Sequence, residues 1–91
     1  MSVADAIRVK LTERFAPIRL EIVDESYRHA GHEGARPEGE THFSIRIVSA
    51  AFVGQSRVDR QRLVYQALAT ELSTQIHALS LTTLAPAEDH R

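Results

Sequence analysis

Apolar residues recur every four positions from Val3 through Ile7 and Leu11 to Phe15, a spacing that lines one face of a helix and leaves the remaining positions to water. Ser2 stands where an N-cap is needed, and Pro17 disfavours helical geometry at Ala16, so the pattern predicts a helix over 3–15. From Arg19 the period changes to two, with Leu20 and Ile22 on one side and Arg19, Glu21 and Val23 on the other. That is a strand with one buried face. The alternation returns from His42 to Ser49, with Phe43, Ile45 and Ile47 against His42, Ser44 and Arg46. It returns again from His77 to Leu84, where Leu79 and Leu81 stand opposite Ser80 and Thr82 and Pro86 closes the run. Between these two strands, Ser56 and Asp59 have capping-box spacing, with Asp in the position more often held by Glu or Gln. Leu63, Val64, Ala67, Leu68 and Leu72 then form a helical stripe running to about Thr74.

The predicted order is helix, strand, strand, helix, strand, an α+β arrangement. The first two strands can pair antiparallel, whereas a right-handed helical crossover lays the second and third parallel, giving one three-stranded mixed sheet with the helices on one face. The opposite face carries Ser, Thr, Arg and Glu, which suits water or a polar partner. The segment from Ser26 to Thr41 holds three of the four glycines and one of the three prolines without apolar periodicity. It reads as a long exposed loop, and loops of that length in compact domains are commonly functional or disordered. Residues 1–86 are expected to form one domain and residues 87–91 a flexible, frayed tail.

Composition narrows the chemistry. At 91 residues, 43% hydrophobic and 25% charged, the chain is long enough for one modest core. Cysteine is absent, which excludes a disulfide framework, a thiolate zinc site made by this chain alone and a cysteine nucleophile. Methionine occurs only at Met1, so imidazole is the one good borderline-soft ligand available, from His29, His32, His42, His77 and His90. The formal net charge of −1 provides no general attraction to nucleic acid. Arg57, Arg60 and Arg62 are the best local basic cluster, readable either as solvated helix charges or as a patch for phosphate, carboxylate or DNA. Met1 to Lys10 lacks the uninterrupted apolar core of a secretory signal, and no stretch approaches the roughly 18 apolar residues of a membrane span, so a cytoplasmic protein is expected. No nucleophile elbow, P-loop or metalloprotease helix occurs, so the expectation is a non-enzyme.

Leu20-Glu21-Ile22-Val23-Asp24-Glu25-Ser26 and Glu40-Thr41-His42-Phe43 resemble the first hairpin of the BolA family. Phe52-Val53-Gly54, Arg60-Gln61-Arg62-Leu63-Val64-Tyr65, and His77-Ala78-Leu79 with Thr83 and Pro86 resemble its helical signature and final strand. The matches run in order over nearly the whole chain. The resemblance implies an α-β-β-α-α-β domain similar to the class II KH fold, with a short extra helical turn before the long helix. It also implies a monothiol glutaredoxin partner, the free chain being a monomer that forms a heterodimer around a shared 2Fe-2S cluster, and a role in DNA binding and gene regulation. By that resemblance His29 and His77 are the cluster ligands, with His32 in reserve. Two imidazoles are half of a four-ligand set, and the missing thiolates would come from a glutaredoxin cysteine and glutathione. Without the resemblance, His29 and His32 read as solvated loop residues and His77 as a histidine at a strand end. His42 reads as structural and His90 as solvated. Two departures stand out. Gln61 occupies the place of the family's usual histidine, and Gly54-Gln55-Ser56-Arg57 keeps only the first glycine of the GxxG loop with which true KH domains clamp a nucleic-acid backbone.

Overall fold

A computed structural model of the protein describes residues 2–25 and 41–89. The expected loop, with His29 and His32, and the tail residue His90 lie outside the described residues.

Helix α1, Val3–Phe15, starts at a capping box in which Ser2 Oγ accepts the Asp5 N–H at 3.0 Å and the Asp5 carboxylate accepts the Ser2 N–H. It stops at Ala16, which takes left-handed geometry (φ 43°) ahead of Pro17. All four residues of the predicted stripe are buried. Strand β1, Arg19–Asp24, pairs antiparallel with β2, His42–Val48, and β2 pairs parallel with β3, Ala78–Leu84. The expected mixed sheet is therefore present, in the order β1-β2-β3. Phe43, Ile45, Ile47 and Leu81 meet the α1 stripe in a single core. Among the described residues no helix is long and apolar enough to cross a membrane.

The connection from β2 to β3 holds two helices and the extra turn that the resemblance implied. The turn is a 3-10 helix, Ala50–Phe52, whose N-cap Ser49 accepts the Ala51 N–H at 3.1 Å and donates to the Phe15 carbonyl at 2.6 Å. It delivers Phe52 into the core, ring to ring with Phe15 at 5.2 Å between centres. Helix α2, Arg57–Ala67, is capped by Ser56 Oγ on the Asp59 N–H, as the spacing predicted. The single helix expected to reach Thr74 is instead broken at Leu68, where φ −107° and ψ 18° leave helical geometry and α3, Ala69–Thr74, begins. Leu68 is fully buried, and the Glu71 carboxylate, one turn into α3, pairs with Lys10 of α1 at 2.7 Å. Tertiary packing thus re-aims the helix where neither proline nor glycine marks a break.

The chain stays against the sheet past β3. Pro86–Glu88 form a 3-10 turn, and Asp89, 8% exposed at its side chain, accepts from Arg19 Nε at 2.8 Å and Arg46 Nη2 at 3.5 Å. The turn closes the Val48 and Leu84 end of the sheet, where Val48 is fully buried although it points to the face away from the helices.

Candidate functional site

The opposite end of the sheet gathers the histidine chemistry. His42 is the first residue of β2 and His77 immediately precedes β3, and the parallel register that pairs His42 with Ala78 brings the two side by side. Their ring centres are 5.2 Å apart with planes tilted by 53°. The backbone holds this arrangement from both sides. The Thr41 carbonyl accepts the N–H groups of His77 at 2.7 Å and Ala78 at 3.2 Å, and the His42 carbonyl accepts the Glu25 N–H at 2.7 Å. His77 is exposed, whereas His42 is only 7% exposed and its Nδ1 lies 2.8 Å from Thr41 Oγ1.

The same hydrogen bonds locate the two ends of the 26–40 segment. The chain leaves β1 at Glu25 and re-enters β2 at Thr41, both bonded within this rim. His77 thus stands beside the point where the histidine-bearing segment returns, and the point where it departs lies on the same rim across β2. His29 and His32 themselves lie outside the described residues. Among the described residues no group of three or more His, Cys, Asp or Glu side chains converges as a self-sufficient metal cage. What the rim can offer an ion or cluster is nitrogen, with the remaining positions left to another donor.

The arginine cluster does not stay together. Arg60 turns inward from the first turn of α2 and is buried, its Nε donating to the Gln55 carbonyl at 2.9 Å and its Nη1 to the Thr83 carbonyl at 3.1 Å and Glu88 Oε1 at 2.6 Å. This corrects the picture of three guanidiniums on one surface. Arg60 ties the start of α2 to the outer edge of β3 and to the C-terminal turn, and its donors are committed there. The Glu88 carboxyl is held below its ordinary range by the hydrogen bond from Arg60 first and by the Ala85 N–H second. Arg62 is 70% exposed and only loosely paired with Asp59 at 3.7 Å, and Arg57 is exposed. Arg57 also borders a cleft of about 520 Å³ between the start of α2 and β3, whose wall includes Gln55, Thr82 and Glu88.

The sequence reading anticipated neither the burial of Arg60 nor the approach of His42 to His77. Arg60 lies four residues before Val64 and eight before Leu68, so its place on the inward face of α2 is legible in the spacing, although its charge argued for the surface. The approach of His42 to His77 depends on the β2–β3 register, which no local pattern encodes.

The protein family described as "BolA-like protein" matches residues 11–88. SufE-like protein 1, chloroplastic/mitochondrial, from Arabidopsis thaliana is 50% identical over 86 residues, which cover 90% of this chain and 23% of that protein. The DNA-binding transcriptional regulator BolA of Escherichia coli is 45% identical over 83 residues, covering 91% of this chain and 75% of that one. Among solved structures, BolA1 from Arabidopsis thaliana superposes with a TM-score of 0.88 at 44% identity, covering 98% of this chain and 97% of the other.

Proposed function

The chain belongs to the BolA-like family, and from that premise we propose that it is a non-enzymatic adaptor that binds a monothiol glutaredoxin and co-ligates a 2Fe-2S cluster with it, in cluster trafficking or in iron and redox regulation. The observation that carries this reading is the exposed imidazole of His77 at the rim where both ends of the 26–40 segment are fastened. His77 and His29 would be the nitrogen ligands, with His32 as the alternative within the segment. The donor chemistry fits a shared cluster. A chain without cysteine can supply imidazoles only, a two-iron cluster accepts two histidines beside two thiolates, and a glutaredoxin cysteine with glutathione would provide the sulfur. When bound, such a cluster supplies one-electron chemistry at a potential raised by histidine ligation.

This chain's own part is to present His77 to solvent on a fixed strand end and to leave room beside it for a second molecule. Protons compete with iron for imidazole nitrogen, so the shared complex should loosen in acid. Mixing the chain with a monothiol glutaredoxin, iron, sulfide and glutathione should shift the visible spectrum away from that of the glutaredoxin homodimer. The reading fails if the spectrum does not change, or if His77→Ala behaves as the unaltered chain does.

A second reading, a DNA-binding regulator, is favoured by the name of the Escherichia coli relative and by the exposure of Arg57 and Arg62 at the start of α2. Because Arg60 is committed to the fold, the informative variant is the Arg57→Ala, Arg62→Ala pair. It should flatten the salt dependence of binding if those side chains neutralise phosphates. Binding to duplex DNA that is weak at moderate salt and unaltered in the pair would remove this reading.

A further inference from the structure

We propose that the outer edge of β3, with the cleft beside it, is a docking site for an extended peptide segment of a partner protein that carries a carboxylate and joins the sheet as a fourth strand. The order β1-β2-β3 leaves two edges. An open edge offers unpaired N–H and C=O groups to any extended chain, and charged side chains or proline on the strand normally discourage such pairing. Strand β1 follows that rule, with Arg19, Glu21 and Asp24 among its six residues. Strand β3, Ala-Leu-Ser-Leu-Thr-Thr-Leu, has neither a charge nor a proline.

The ladder fixes which groups of β3 face outward. In a parallel pair, alternate residues of a strand bond to the same neighbour. The Ala78 N–H donates to the Thr41 carbonyl and the Leu84 carbonyl accepts the Ser49 N–H, so the even-numbered residues turn toward β2. Leu79, Leu81 and Thr83 therefore turn outward, and the bond from Arg60 to the Thr83 carbonyl lies on that side. Arg60 closes the edge at Thr83. Among the described residues nothing bonds to the outward groups of Leu79 and Leu81. From Leu79 to Thr83 the edge runs for about 13 Å, room for a peptide of about four or five residues.

The cleft adjoins this edge at Leu81 and Thr83 and selects the charge of the visitor. Of the charged groups in its wall, Arg60 and Glu88 pair with each other, whereas Arg57 is exposed and pairs with no carboxylate among the described residues. The uncompensated charge is positive. A matching peptide carries Asp, Glu or a C-terminal carboxylate at the end that reaches Arg57, with main-chain bonds supplying affinity and the ion pair fixing direction. This inference goes beyond the shared-cluster reading and does not rest on it, because strand addition needs neither His77 nor iron.

The probe is a peptide selected from phage-displayed random linear sequences on the immobilised chain, then synthesised and titrated into the nitrogen-15-labelled chain. Before it is added, the Leu79 and Leu81 amides should exchange with solvent faster than those of Ser80 and Thr82, and on binding they should shift and become protected. Methylating the peptide nitrogens that face β3 should weaken binding about tenfold or more, while methylating the intervening ones should not. Arg57→Glu, checked for folding by circular dichroism, and replacement of the peptide carboxylate by an amide should each weaken it about threefold or more. Arg62→Ala and His77→Ala should leave it unchanged. The inference is overturned if no peptide is enriched, if the shifts fall on other residues, or if the Leu79 and Leu81 amides are already protected in the free monomer. Dimerisation that protects the same amides, or an oligonucleotide that displaces the peptide from them, would give the edge to a second copy or to nucleic acid and overturn it as well. Peptide binding alongside failed cluster formation upholds the inference and removes the reading above. A cluster formed without peptide binding does the reverse.

Discussion

Replacing Arg60 by alanine should cost this domain more than any other single change among its described arginines, through the fold rather than through a ligand. The guanidinium donates to two backbone carbonyls, Gln55 at 2.9 Å and Thr83 at 3.1 Å, and is itself buried. A hydrogen bond with one charged partner contributes about 1.5 kcal/mol or more, so losing both costs about 3 kcal/mol, with the half-exposed Glu88 pair left uncounted. In a domain of this size each kcal/mol lowers Tm by about 4–8 °C, and the expected fall is therefore about 12 °C or more. Urea denaturation followed by far-UV circular dichroism measures the difference, and an unchanged m-value would show that the native state was destabilised without loss of compactness. Arg60→Lys should recover less than half, because one ammonium cannot fork to acceptors at Gln55 ahead of α2, on β3 and in the C-terminal turn. Arg62→Ala is the control and should stay within about 0.5 kcal/mol, since that side chain is 70% exposed. An Arg60→Ala variant as stable as Arg62→Ala would refute the structural role and return Arg60 to the candidate surface ligands.

Three further outcomes follow from the packing. Because the folded-state pKa of Glu88 lies below its ordinary 4.5, the Glu88 contribution is complete above that pH and drains away as pH falls through the folded value. The stability gap between the unaltered chain and Glu88→Gln, taken from urea midpoints, should accordingly be present at neutral pH and close in acid. A gap that widened in acid would contradict the sign. Phe52→Ala should cost about 3–5 kcal/mol by cavity formation, since Phe52 is fully buried against Phe15, and thermal melts should show a fall comparable to much of the domain's stability. Ser49→Ala removes a buried hydroxyl that both donates to the Phe15 carbonyl and caps the Ala50–Phe52 turn, so a loss of about 2 kcal/mol is expected by chemical denaturation.

Most of the architecture was legible because each element carries its period openly. The four-residue recurrence of α1, the three alternating runs and the Ser2 and Ser56 caps all reappear in the structure. The parallel pairing of β2 and β3 followed from the handedness of the crossover. What escaped was tertiary. The break at Leu68 answers to core packing, since Leu68 has good helix propensity and no breaker adjoins it. The C-terminal turn is held by ion pairs with Arg19, Arg46 and Arg60, partners too distant in sequence for any window to include. At the site, the pattern placed His77 at the start of a strand and left it exposed to chance. The exposed ring, and its neighbour His42, became visible only with the register.

The closing turn at Pro86–Glu88 and the histidines occupy opposite ends of the same strands. Strand β2 alone, at about 3.3 Å per residue over six steps, separates them by about 20 Å. A fluorophore or purification handle joined after Asp89 therefore hangs from the far pole of the molecule. From there it can register a visitor at the histidine pole by energy transfer without standing in its way.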